Sequence, residues 1–267
     1  IVSYLNPHRF TYGFAYSMPF GALVGAVTLL AWFLSSEQKR LPMNATTILL
    51  ALFTLHFSMT TIFALAPGPA FAEWEQTVKI TLMSLVAASL LTSRERMHAM
   101  IWVIVLGIGF HGLKGGVFTI ITGGGHIAMG PPNSFFGDRN FYAVQLASII
   151  PLMRYLQLHT ADRRVRLALT LMMAISAFAV LGTQSRAGFI TLGVLGLYLI
   201  FKSRQRLQLI IVFSVLVVAA ISFVPQVWID RMQTLENIGE DRSFQGRVTS
   251  WRAAVDIAIE RPIRGGG

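Results

Sequence analysis

Apolar residues in this chain come in long runs separated by short polar ones, and the runs have the length of membrane-spanning helices rather than of strands. The first extends from Gly13 to Leu34 and closes at Glu37-Gln38-Lys39-Arg40-Leu41-Pro42. The second, Ala45 to Ala66, stops at Pro67-Gly68-Pro69, with Glu73 and Glu75 beyond it. A third, Val78 to Leu91, ends at Arg94-Glu95-Arg96. The fourth, Ala99 to Ile121, contains His111, Lys114 and Gly115-Gly116, so a break or tilt is expected in its second half. Phe141 to Leu156 is the fifth, Leu167 to Leu181 and Phe189 to Phe201 follow, and Leu209 to Val224, stopped by Pro225, is the last. A hydrocarbon core about 30 Å thick takes about 20 apolar residues of helix. The pattern therefore predicts an all-α, polytopic transmembrane bundle of about eight spans over residues 1–225.

Two stretches depart from it. Gly123-Gly124-Gly125-His126, Gly130-Pro131-Pro132 and Gly137-Asp138-Arg139-Asn140 are too rich in glycine and proline for regular helix, and predict a loop, exposed or folded back into the bundle. After Pro225 the chain is mixed polar until Gly246, beyond which Val248, Trp251, Val255 and Ile259 form one helical stripe. That stripe predicts an amphipathic helix at the membrane interface or capping the bundle, inside a separate segment, 226–267. Arg247 and Trp251 share a face of it; Arg252 and Asp256, four apart, can pair.

Composition agrees, at 54% hydrophobic and 13% charged. The net charge of +10 changes meaning in this setting, because the basic residues fall in alternate loops: Lys39 and Arg40, Arg94 and Arg96, Arg163, Arg164 and Arg166, Lys202, Arg204 and Arg206. By the positive-inside bias these mark the cytoplasmic side, and nucleic-acid binding is rejected as the source of the charge. The outer side then receives residues 6–9, 67–76, 123–140, Arg186 and everything after Pro225, which are the chemically rich segments. The chain has no cysteine, which excludes disulfides and thiolate metal sites. Its first residue is Ile1 and it ends in Gly265-Gly266-Gly267 after a helical pattern; an internal piece of a longer chain is expected, with functional parts beyond both ends.

Arg186 is the one full charge between Leu167 and Phe201. An arginine in or at the lip of a bundle costs about 2.5 to 3.5 kcal/mol at a helix centre by insertion scales, so it has a partner or a task; a phosphate and a reach to lipid headgroups are evenly balanced readings. Arg139, Arg186, Arg247 and Arg252 come from separate outer-side segments, and a converging set of planar guanidinium forks suits a lipid diphosphate. Independent contacts with anionic headgroups are the plainer alternative, favoured for Arg252 with Asp256 beside it. Asp138 and Asn140 flank Arg139 at the head of the fifth run, where helix capping is the commonest role; orienting an arginine or binding a sugar hydroxyl is the minority reading. His126 in the glycine loop is a candidate base without a supporting carboxylate, and His56 and His111, inside apolar runs, read as structural. Lys114 either snorkels outward, the favoured reading, or meets a lipid phosphate beside Gly115-Gly116. No metal-ligand spacing, phosphate loop or dinucleotide fingerprint is present, so neither metal nor cofactor is expected.

The stretches Asn6-Pro7-His8-Arg9 with Tyr12-Gly13-Phe14-Ala15-Tyr16, Lys114-Gly115-Gly116-Val117-Phe118-Thr119, Gly130-Pro131-Pro132 through Asn140, Gly182-Thr183-Gln184-Ser185-Arg186, and Gly246-Arg247 with Trp251 before Arg261-Pro262 and Gly265-Gly266-Gly267 carry a resemblance. Over essentially its whole length the chain resembles the O-glycosylation ligases associated with exosortase A systems, a branch of the O-antigen ligase and polymerase superfamily. The resemblance implies a bacterial inner-membrane enzyme that transfers a glycan from a polyprenyl diphosphate carrier, such as undecaprenyl diphosphate, to an acceptor hydroxyl on the periplasmic side, with membrane lipids as its surroundings. Carried over by position, Arg186 and Arg247 hold the diphosphate, and Asp138, Arg139, Asn140, Lys114 and Trp251 line the substrate site. Relatives carry Asn where this chain has Arg139, and the added cation either strengthens diphosphate binding or faces lipid. They also continue into a periplasmic portion with a histidine that activates the acceptor, so this stretch is expected to lack its base. A glycan polymerase using the same donor remains the alternative within the enzyme class; a polytopic transporter or lipid flippase is the alternative outside it.

Overall fold

The computed structural model describes residues 5, 7, 13–36, 39, 41–132, 134, 137–203, 206–207, 210–211, 214, 217–218 and 242–266. Among the described residues all regular structure is helical. The helices are α1 (Phe14–Ser17), α2 (Phe20–Leu34), α3 (Ala45–Ile62), α4 (Pro67–Leu90), α5 (Arg94–Ile121), α6 (Arg139–Leu158), α7 (Arg163–Gly182), α8 (Arg186–Lys202) and α9 (Arg242–Glu260). Three of them, α3, α5 and α7, are long and apolar enough to cross a membrane, and α2 is a shorter apolar helix. The chain is a multi-pass membrane protein. Most of the expected last span, residues 209–224, lies outside the described residues, as do Asn6, His8, Arg9 and Tyr12.

Three expectations are corrected. The Pro67-Gly68-Pro69 cluster opens a helix at once: Pro67 sits in its first turn, where a missing N–H costs nothing, so Glu73 and Glu75 lie on α4 and Glu75 pairs with Lys79 one turn on. The fourth run is unbroken, because α5 continues through Gly115-Gly116 to Ile121. The helix expected after Gly246 starts at Arg242, four residues before it, and its stripe is open, with Trp251, Val255 and Ile259 all exposed. Arg252 and Asp256 form no ion pair among the described residues.

The chain divides into two compact units, residues 1–24 with 98–230, and residues 25–97 with 231–267. In the first, α6 packs against α7 and α8, and its buried face (Tyr142, Ala143, Leu146, Ile149, Met153, Leu156) meets Val105 and Ile108 of α5 and Leu169, Ala179 and Val180 of α7. The glycines of α5 explain why it survives intact: they let neighbouring elements approach its backbone. A Cβ at Gly116 would collide with the carbonyl oxygen of Ile175, one at Gly112 with Ser176, one at Gly115 with the Tyr142 hydroxyl. That hydroxyl donates to the carbonyl of His111 at 2.6 Å, and His111 is itself buried, consistent with a structural role.

In the second unit α3 packs against α4, pinned where the Trp74 indole donates to the Ser58 hydroxyl at 2.8 Å; Trp32 donates likewise to Ser89 at 2.8 Å. The turn after α9 returns to the α3–α4 link, where the Leu65 N–H donates to the Gly266 carbonyl at 2.9 Å.

Candidate functional site where two helix starts meet

Chain direction brings the end of α5, the start of α6, the end of α7 and the start of α8 to one end of the first unit. Gly123 and Gly124, both at positive φ (59° and 74°), turn the chain after α5, and the Gly124 N–H donates to the Thr119 carbonyl at 2.9 Å. The loop then folds back rather than out. The Ala128 N–H donates to the Gly182 carbonyl at 2.8 Å, Gln184 Nε2 donates to the Gly124 carbonyl at 3.2 Å, and Ala128 and Pro131 are buried.

Between α7 and α8 lie Thr183, Gln184 and Ser185, all buried. Gln184 takes a left-handed conformation, φ 51°, the one described non-glycine residue to do so. Its side chain's bond to Gly124 helps hold it there. Thr183 Oγ1 donates to the Val180 carbonyl at 2.7 Å and accepts from the Ser185 N–H at 3.2 Å. Ser185 is the N-cap of α8, accepting from the Gly188 N–H at 3.3 Å, while its hydroxyl proton goes to Asn140 Oδ1 at 2.7 Å. A Cβ at Gly188 would overlap that of Ala143, so α6 and α8 approach closely near their starts.

Of the sequence candidates, Asp138, Arg139, Asn140 and Arg186 are thus brought together. Asp138 caps α6, accepting from the N–H groups of Asn140 and Phe141 at 2.8 and 3.1 Å, so its commonest reading holds in the structure. Arg139 and Arg186 are the first residues of α6 and α8, both half-buried. Four consecutive helices, α5 to α8, begin with arginine, yet the first three carry a carboxylate at the cap or in the first turn: Glu95, Asp138 and Asp162. α8 has a neutral cap and no acid in its first turn. A helix N-terminus is already electropositive, and one that starts with a guanidinium and carries no acid at its own cap or first turn is a locus suited to an anion.

Lys114 is exposed on α5, next to the packed Gly115-Gly116. Arg247 and Trp251 belong to the second unit, exposed on α9. Arg252 is exposed there as well. No group of three or more His, Cys, Asp or Glu able to hold a metal occurs among the described residues. Sequence reasoning quoted Ser185 and Gln184 without giving them work; a serine directly before an apolar run was the available signal for the cap.

Residues 1–161 match the model of a family of unknown function, DUF5935. The chain belongs to the DUF5935 family. Residues 171–267 of this DUF5935 protein match the O-antigen ligase model, Wzy_C, which supports membership of the O-antigen ligase superfamily and a membrane enzyme of glycan-ligase type, with a glycan donor and acceptor. Comparison with curated proteins and with solved structures gives no match. Asn140 falls in the first matched region and Ser185 in the second, so the bond between them ties one to the other.

Proposed function

We propose that this DUF5935 protein is a glycan ligase of the bacterial inner membrane. It transfers a glycan from a polyprenyl diphosphate carrier to an acceptor hydroxyl on the periplasmic side, without a metal or cofactor, in a bundle of about eight spans. Arg186 and Arg247 grip the diphosphate. Asp138, Arg139, Asn140, Lys114 and Trp251 line the donor site, and the exosortase-associated branch is the subtype. The observation that carries this reading is Arg186 at the start of an acid-free helix, held beside the start of α6 by Ser185 and Asn140. The O-antigen ligase match, which contains both Arg186 and Arg247, supports it independently.

As the acceptor hydroxyl oxygen bonds to the anomeric carbon and releases its proton to solvent, the bond to the bridging phosphate oxygen breaks and negative charge grows there. Guanidinium groups already in place stabilise that charge more in the transition state than in the ground state, each such donor being worth about 2.7 to 4 kcal/mol. Diphosphate is a good leaving group once its charge is matched, so the chemistry needs no energy source beyond the carrier bond.

The test replaces Arg186 with Ala and with Lys in the full-length enzyme and follows the glycan in cells. Both variants are expected in the membrane at normal levels with polymer retained on the carrier lipid. Normal transfer by both removes Arg186 from the reaction. Deletion separates the polymerase reading, since loss of a polymerase leaves single repeat units on the acceptor.

A further inference from the structure

Arg261 and the glycines that follow it belong to the stretches that carry the resemblance, yet the diphosphate reading gives them nothing to do. In the second unit they form a turn that closes on the link between α3 and α4. Arg261 Nη2 donates to the carbonyl of Phe63 at 3.0 Å, and the Arg264 guanidinium lies over the Phe63 ring, 4.5 Å from its centroid. Gly265, at φ 59°, donates its N–H to the Arg261 carbonyl at 2.8 Å, and this reversal brings the Gly266 carbonyl to the Leu65 N–H at 2.9 Å. Phe63 is the C-cap of α3. Its carbonyl is one of those a helix end leaves without a partner inside the helix, and a cation is the favoured group there. Phe63 therefore receives one arginine on its carbonyl and another on its ring.

Among the described residues, the side chains of α9 are mostly open. From Gln245 to Glu260 every side chain is exposed except Val248 and Ile257, which are half-buried. A 19-residue helix with so little burial takes its position from what fixes its ends. We propose that residues 261–266 are a clasp that docks the end of α9 onto the α3–α4 link, and that Arg261 is a positioning residue for Arg247 on the same helix. The proposal rests on the reading in which Arg247 grips the donor diphosphate. Being rigid, α9 transmits its anchoring over the roughly 20 Å from Glu260 back to Arg247. An error of about 1 Å at a group that orients the reacting centre is enough to cost about 100-fold in rate.

The experiment uses the full-length enzyme and the pair Leu65→Cys with Gly266→Cys; residues 1–267 hold no cysteine, and any outside them is replaced by serine. A Cβ at Gly266 fits, lying 3.4 Å from Ile257 and 4.0 Å from Leu65. Oxidation is expected to link the pair, and adding Arg261→Ala is expected to slow linkage about tenfold. Transfer is read as polyprenyl diphosphate released from a synthetic polyprenyl diphosphate-linked disaccharide, with host membranes supplying the acceptor. Arg261→Ala should lower kcat about 10- to 100-fold with a smaller change in KM. Arg261→Lys, which keeps a donor for the Phe63 carbonyl, should retain most of it, and the oxidised cysteine pair should restore transfer to Arg261→Ala. Linkage that ignores Arg261→Ala overturns the clasp. Linkage that falls while kcat stays normal, in a preparation where Arg247→Ala is inactive, overturns the positioning role. Normal transfer by Arg247→Ala overturns the diphosphate reading and the positioning role together, and the linkage assay still decides whether the clasp exists.

Discussion

The hydroxyl of Ser185 donates to Asn140 Oδ1 across 2.7 Å while accepting the N–H of Gly188, so one buried oxygen both caps α8 and ties it to the first turn of α6. Two helices that each begin with arginine are thereby held side by side. Ser185→Ala loses the cap and the tie together, and loss of a serine cap alone costs about 0.5–2 kcal/mol. Ser185→Thr keeps a hydroxyl and should lie near the wild type. Thermal unfolding in detergent is expected to rank the proteins in the order wild type, Thr, Ala.

The glycines of α5 should differ sharply in what they tolerate. At Gly116 an added methyl would strike the Ile175 carbonyl, which is backbone and cannot rotate away; at Gly109 it would meet the Met172 sulfur at 2.6 Å, the yielding part of a flexible side chain. Overpacking of a tight interior costs about 1–3 kcal/mol. Gly116→Ala is expected to fall in that range and Gly109→Ala well below it, measured by thermal unfolding of the two variants in one detergent.

These glycines also mark where sequence reasoning stopped. Apolar run length located α3, α5 and α7, because a membrane span must satisfy its own backbone hydrogen bonds and has few ways to do so. The same reasoning expected a break or tilt at Gly115-Gly116, and the helix runs through without a break. Local propensity was overruled by close packing against Tyr142 and Ile175, residues 27 and more positions away and invisible to any window. Pro67 misled in the opposite sense, since one residue type both stops a helix and opens the next. At the site, the Asp138 cap was legible from its place before an apolar run. The Ser185–Asn140 contact was not, since it joins positions 45 apart and depends on how α6 and α8 cross.

Gln184 holds its left-handed backbone with help from a side-chain bond to Gly124 at 3.2 Å. Gln184→Gly removes the conformational cost and the bond together, and these act in opposite directions, so a change under about 1 kcal/mol is expected. Gln184→Val keeps neither the bond nor an accessible backbone, since a β-branched residue at this φ is strained; a loss of about 2–3 kcal/mol follows. The two variants separate backbone strain from hydrogen bonding, and unfolding midpoints in the same detergent give the comparison.

Arg139 and Arg186 head neighbouring helices, but the helix of the first has a carboxylate, Asp138, as its cap, while the helix of the second carries no acid at cap or first turn. If the anion site belongs to Arg186, the two arginines are unequal. Arg139→Asn, the residue carried by the ligases this chain resembles, is expected to keep transfer within about threefold, because Asp138 still caps α6 and an uncharged side chain no longer needs matching. Arg186→Ala is expected to lose about 100- to 1,000-fold, the range for removal of one preorganised donor to a developing oxyanion. Release of polyprenyl diphosphate from a lipid-linked disaccharide, measured for both variants at equal protein, checks the ranking. The reverse order, with Arg139→Asn the more damaged, would move the anion site from the start of α8 to the start of α6.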